Sequence, residues 1–288
     1  LEKNIKNNTV FVVEASSYQL EYSKLFKSNI SLILNISPDH LERHKTISKY
    51  ISAKFKLIKN QSKSDLAILN TKNFYIKRHI KSKNFLPKII KIDKEIDNSF
   101  LKKINNQYFN TFGNRENLKF VLEVSKILKL KKNSLLKTLQ KFKGLKYRQQ
   151  IIFQSKNLTI INDSKATTFS SSVSLLKSLN NVYWIVGGQA KKGDTLLLYK
   201  KDCINFKAYI FGTNKNFFIN EIKKLMKYDS FIDLKNLVKK LFSEIKADKN
   251  TIHKTILFSP SAASFDDFKN FEKRGEYFNQ LIKKYINA

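Results

Sequence analysis

Glu14, Asp39 and His40 are the first side chains in the sequence whose types together suggest a reaction. A carboxylate and a neutral imidazole on one rim can bind a hard divalent ion, with a nearby phosphate supplying the remaining oxygen ligands. A shared rim is expected from what precedes them. Two apolar, β-branched runs, Val10 to Val13 and Ile30 to Ile36, each end in polar and charged residues. Buried parallel strands that deliver side chains to a crevice at their carboxyl ends have this pattern. The plainer reading is that Glu14 and Asp39 cap helices, where acids favour the dipole, and that His40 packs in a turn.

Three later segments have the same character. Asn162-Asp-Ser-Lys-Ala-Thr167 follows one predicted strand and precedes a helix, so Thr167 or Thr168 near the helix N-terminus would hold a carboxylate. An N-cap beside a solvated lysine accounts for that segment equally well. Ser259-Pro-Ser-Ala-Ala-Ser264 places small residues after a buried strand, which permits close ligand approach, and Ser264 could bind an anion by hydroxyl and backbone N–H. Gly188-Gln-Ala-Lys-Lys-Gly193-Asp194-Thr195 has the glycine spacing of a phosphate loop but an acid where the lysine belongs. Asp194 would repel phosphate, so the glycines are read as a turn that brings Lys191 or Lys192 to a neighbouring site.

The elements that must position these residues alternate. Strands are predicted at Val10 to Glu14, Ile30 to Ile36, Leu66 to Leu69 and Lys88 to Ile92. Helices are predicted at Ser48 to Lys59, where Tyr50, Ile51, Phe55 and Ile58 share a face, and at Asn73 to Lys81, Leu118 to Leu130 and Ser134 to Phe142. Gly144 marks a change. Beyond it strands are expected at Gln150 to Gln154, Leu158 to Ile161, Val182 to Val186, Ala208 to Phe211 and Thr255 to Phe258. Helices are expected at Ser170 to Leu179, Asn216 to Met226, Leu234 to Ile245 and Phe271 to Tyr285. The class is α/β, with two units.

Composition limits the partners. The 288 residues hold 55 Lys and Arg against 23 Asp and Glu, a formal charge of +32, which would suit nucleic acid or an anionic surface. The lysines are spread over helices and loops alike with no recognition motif, so a nucleic-acid partner is not expected; an acidic or phosphorylated small substrate would be steered as well. Cys203 is the one cysteine, which excludes a disulfide framework and fits a reducing cytosol. No apolar run is long enough to span a membrane. The chain starts at Leu1 without a signal-peptide pattern and is expected to begin partway through a larger protein.

Taken together, Glu14-Ala-Ser-Ser-Tyr-Gln-Leu20, Asn35-Ile-Ser-Pro-Asp-His-Leu-Glu-Arg-His44, Tyr50-Ile-Ser-Ala-Lys54, Gly144-Leu-Lys-Tyr-Arg148, Asn162 to Thr167, Gly187-Gly-Gln-Ala-Lys191 and Ser259-Pro-Ser-Ala-Ala-Ser-Phe-Asp266 resemble, in this order, the Mur ligases. The Asn162 to Thr167 segment discriminates best and points to the D-glutamate-adding branch. The resemblance implies a partial P-loop-type central ATP-binding ligase domain over residues 1–144, lacking its phosphate loop, and a Rossmann-like, amino-acid-binding C-terminal domain over 145–288. It implies a cytoplasmic, monomeric enzyme that uses ATP and Mg2+ to join D-glutamate to UDP-N-acetylmuramoyl-L-alanine through an acyl phosphate. Glu14, His40 and a carbamylated Lys54 would be metal ligands, with His40, Lys54 and Lys165 catalytic. Asn117, Arg148 and Asp163 would meet ATP. Ser16, Ser17, Thr167, Lys191, Ser264 and Phe271 would bind substrate. Carbamylation needs a neutral amine, and the plainer reading of Lys54 is an exposed helix lysine.

The sequence departs from the pattern in places. Gly113-Asn-Arg-Glu-Asn117 is two residues short of the expected adenine-site segment and lacks its His-Asn pair, and Tyr147 stands where a histidine is usual. Two rivals follow: a non-catalytic remnant or basic binding module, favoured by the missing loop and the charge, and a folylpolyglutamate-synthetase-like ligase, which should lack Asn162 to Thr167.

Overall fold

A computed structural model describes Thr9 to Ile286. The chain divides into two compact units. The first takes the described residues up to Glu95 together with Lys119–Val124; the second takes Ile96–Leu118 and everything from Ser125 onward.

In the first unit the elements run α1 (Ser17–Tyr22), β1 (Ile30–Ile33), α2 (Leu41–His44), α3 (Ile47–Lys59), β2 (Leu66–Asn70), α4 (Phe74–Lys81) and β3 (Lys88–Ile92). The strands form a parallel sheet in the order β1-β2-β3. Helix α3 starts where the Thr46 hydroxyl accepts the Lys49 N–H, and it buries Tyr50, Ile51, Phe55 and Ile58 against Ile33, Ala67 and Leu69. Apolar burial on this scale is worth about 1.5–3 kcal/mol per large side chain.

The strand predicted over Val10 to Glu14 is not formed. It belongs to no ladder, and its apolar residues Val10 to Val13 are 58%, 59%, 95% and 65% exposed. An apolar, β-branched run reports a preference for an extended, buried setting, whereas a parallel strand also needs a neighbour to receive its N–H and C=O groups. No strand among the described residues lies beside it.

The second unit contains α5 (Asn98–Ile104), a 3₁₀ turn (Gln107–Asn110), α7 (Lys132–Lys141), β4 (Gln150–Gln154), β5 (Leu158–Asn162), α8 (Phe169–Leu176), β6 (Val182–Gly187), a second 3₁₀ turn (Lys200–Cys203), β7 (Lys207–Phe211), α9 (Lys215–Ile222), β8 (Lys227–Ser230), α10 (Leu234–Ala247), β9 (Lys254–Phe258) and α11 (Phe271–Ile286). Helix α6 (Phe112–Ile127) has residues in both units. It starts six residues before the predicted Leu118, because the Thr111 hydroxyl accepts the Asn114 N–H and the buried Asn114 amide donates to Tyr108 C=O. Residues that read as a loop thus form its first turn.

The sheet order is β4-β5-β9-β6-β7-β8, with only β4 antiparallel. Alternation sorts the strand residues between two cores. Ile161, Trp184, Val186, Ala208, Ile210 and Leu257 face α8 and α9, while Ile160, Ile185, Tyr209, Phe211, Ile256 and Phe258 face α10 and α11. The predicted helix to Met226 stops at Ile222, and Lys-Tyr-Asp-Ser forms edge strand β8. That polar tetrapeptide carries no alternation and is held by its ladder with β7.

Candidate functional site

In the first unit two of the residues predicted to ligate a metal, His40 and Lys54, lie against Tyr50, and His40 also against Tyr18. His40 follows β1 and the Ser37-Pro38-Asp39 turn, with a left-handed φ of 55° that non-glycine residues adopt at a cost, often at functional positions. Its backbone N–H donates to Asp39 Oδ1 at 2.8 Å, its Nε2 lies 3.6 Å from Asp39 Oδ2, and its Nδ1 is 3.2 Å from the Tyr18 hydroxyl. The His40 ring meets Tyr18 and Tyr50 edge-on, with centroids 5.1 and 6.1 Å apart. Lys54 lies one turn beyond Tyr50 on α3, its Nζ 5.2 Å from the Tyr50 ring centre. Burial draws the Lys54 amine below its ordinary value, and the negative charges of Asp39 and Glu14 pull it back. Burial and Asp39 together push the Tyr50 hydroxyl up to about 12.

The sequence reading missed what supports this group. His44, which sits in the His-rich segment, is buried, and its Nε2 is 3.0 Å from Ser17 Oγ. Tyr18 and Tyr50 wall the cluster. Ser16 and Ser17, expected to touch substrate, have internal partners. Ser16 caps α1 in a reciprocal box with Gln19, and Ser17 is buried against His44. Among the described residues no three His, Cys, Asp or Glu side chains stand close enough to hold a metal by themselves. Mg2+ commonly takes only one or two carboxylates and fills its remaining positions with waters and phosphate oxygens, so a cluster of three protein side chains is not required for it.

In the second unit three neighbouring parallel strands end side by side, β5 with Asp163, β9 with Ser259 and β6 with Gly187-Gly188, at the edge where parallel α/β sheets form a ligand crevice. Asp163 is buried, accepts from Ser259 Oγ at 2.9 Å and from the Gln149 N–H at 3.0 Å. Burial pushes its carboxyl up to about 7, against the pull of those bonds and of the Arg148 charge. Arg148 is exposed between Tyr147 and Gln149, whose φ angles are 62° and 47°. This strained segment is clipped to the crevice by the Gln149 bond and by Lys165 N–H donating to Tyr147 C=O at 3.0 Å. Asn117 is exposed on α6.

Lys165 lies with its Nζ 4.0 Å from the centre of the Phe271 ring, a cation–π contact. Ser264 is buried in the loop after β9. That loop pairs with the one after β6 through two Gln189–Ala263 hydrogen bonds of 3.1 and 3.0 Å, two residues before Lys191 in the chain. Gly188 makes the approach possible: its φ is 125°, and a Cβ there would lie 2.8 Å from Ala263 O. Arg274, unforeseen, is fully buried and ties the loops together, donating to Ser164 Oγ and to the C=O groups of Ser164, Ala262 and Ala263. Thr167 is half-buried just ahead of α8, but the Phe169 N–H of that helix is taken by Asp194 Oδ2 at 2.7 Å. The acid that disqualified the glycine loop as a phosphate cradle thus serves a helix N-terminus of the same unit.

Comparison with known proteins gives a consistent picture. A model of the Mur ligase middle domain matches residues 1–144. A UDP-N-acetylmuramoylalanine–D-glutamate ligase from Rickettsia felis is 33% identical over 292 residues, covering 96% of this chain and 65% of that protein. The ligase of the same name from a Hydrogenobaculum species is 30% identical over 294 residues, covering 99% and 70%. Among solved structures, MurF ligase from Thermotoga maritima in complex with ADP is similar at a TM-score of 0.59 and 13% identity, over 94% of this chain and 66% of that one. The chain spans about two thirds of the length of the curated relatives it matches.

Proposed function

This chain belongs to the Mur ligase family, and from that premise we propose that it carries metal- and amino-acid-binding parts of an ATP-dependent ligase that adds D-glutamate to UDP-N-acetylmuramoyl-L-alanine in the cytoplasm. ATP phosphorylates the substrate carboxylate, the amine of D-glutamate attacks the acyl phosphate, and phosphate leaves as the amide forms. Mg2+, held by Glu14, His40 and carbamylated Lys54, would neutralise charge on the phosphoryl group. The observation that carries this reading is the gathering of His40 and Lys54 around Tyr50, with Glu14 and Asp39 acting on an amine already lowered by burial. A neutral amine is the form that takes up carbon dioxide.

Asp163 and Arg148 would face the nucleotide. Lys165 and Lys191 would hold the carboxylates of D-glutamate as fixed cations, with Thr167, Ser264 and Phe271 lining the pocket. Lys165 is suited to this because the Phe271 ring steadies its ammonium without neutralising it, which leaves the charge available to an anion.

Isothermal titration tests the reading. Saturable, Mg2+-dependent ATP binding and D-glutamate binding that is lost in Ser264→Ala are expected. Silence towards both ligands, with oligonucleotide binding of steep salt dependence, would instead favour the basic binding module.

A further inference from the structure

Behind Asp163 the hydroxyls of Ser259, Ser172 and Ser261 form a chain. Ser259 Oγ, which donates to Asp163 Oδ2, is 2.7 Å from Ser172 Oγ, and Ser172 Oγ is 2.6 Å from Ser261 Oγ. All three serines are buried, Ser172 and Ser259 completely. They come from separate places: Ser172 from the middle of α8, Ser259 and Ser261 from the loop after β9.

Each hydroxyl has one proton to give, and this fixes the direction of the chain. With Asp163 ionised, Ser259 spends its proton on the carboxylate and must accept from Ser172. Ser172 must then accept from Ser261. Every bond runs towards Asp163, and every proton has a short acceptor. Reversing the chain requires a proton on Asp163 and rotation of all three hydroxyls. It leaves Ser261 with only the Ser259 C=O, 3.4 Å away. Chains of hydrogen bonds polarise one another, so the last donor is stronger than a lone serine would be.

We infer that Ser172 is a positioning residue for Asp163: acting through Ser259, it holds one carboxyl oxygen inside the fold and favours the ionised carboxylate, leaving the other oxygen to the Gln149 N–H. Its bearing on catalysis rests on the proposed role of Asp163 at the nucleotide. The other groups acting on this carboxyl are Arg148, which favours its ionised form, and the half-buried Tyr108; Lys165 is two residues away, engaged with Phe271.

The test is a titration of the Asp163 side-chain carbon by NMR in the full chain, with Ser172→Ala, Ser261→Ala and Ser259→Ala compared with the unsubstituted protein. The midpoint should rise by about half a pH unit or more in Ser172→Ala, by less in Ser261→Ala and by most in Ser259→Ala. An unchanged midpoint in Ser172→Ala would overturn the inference, and a merely structural serine would give that result. If Ser172→Ala does not fold, Ser261→Ala decides alone, because a midpoint identical to that of the unsubstituted chain breaks the relay at its far end. ATP binding is measured separately on Asp163→Asn. Unaltered binding there would remove the nucleotide role of Asp163 while leaving the hydroxyl chain intact.

Discussion

Lys54 and Asp163 are ionisable groups that the fold pushes towards their neutral forms, with opposite consequences for charge. Burial lowers the Lys54 amine, so the neutral form that reacts with carbon dioxide is reached at lower pH than for an exposed lysine. In protein equilibrated with ¹³C-labelled bicarbonate, one slowly exchanging carbamate resonance is expected, absent in Lys54→Arg because a guanidinium stays protonated. For Asp163 the sign is that of a raised acid. Its folded value of about 7 lies above the ordinary carboxylate value, so between about pH 4 and pH 7 the folded state binds more protons than the unfolded chain. This group's contribution to stability is therefore fully favourable below about pH 4 and is lost as pH rises through 7. Urea unfolding at a series of pH values should show Asp163→Asn gaining stability relative to the unsubstituted chain across that window, by up to a few kcal/mol. A constant difference would contradict the buried, proton-retaining carboxyl.

Among the elements, the crevice of the second unit depends on two loops that touch at Gly188 and Ala263. Gly188→Ala puts a Cβ into the Ala263 carbonyl at a φ of 125°, a conformation that costs roughly 1–3 kcal/mol for a residue with a side chain. Loss of D-glutamate binding beyond the loss of stability is expected, measured by titration on the folded variant. The strands behind those loops were legible because β5, β6, β7 and β9 are nearly continuous apolar runs between polar turns. What the string could not show were features decided by partners distant in sequence. Val10 to Val13 has the composition of a strand but no ladder among the described residues. β8 has a ladder but not the composition. Asp194 looked like a defect in a phosphate loop, and its role emerges only when the N-terminus of α8 is placed beside it. Arg274 and Ser172 read as ordinary helix residues, since their value lies in carbonyls and hydroxyls brought from other elements.

At the scale of the molecule, the candidate residues fall into two sets, one in each compact unit: Glu14, His40 and Lys54 in the first, Arg148, Asp163, Lys165, Lys191, Ser264 and Phe271 in the second. The chain's formal net charge of +32 would draw in anionic substrates at low salt. In the proposed site the first set shares one divalent ion. Paramagnetic broadening by Mn2+, added in small amounts in place of Mg2+, tests it most directly. The His40 ring, the Glu14 carboxyl and the Lys54 side chain should broaden together, and Glu14→Gln should weaken the effect at all three. Broadening that reaches only one of them, or that centres on other acids of the surface, would contradict a common site.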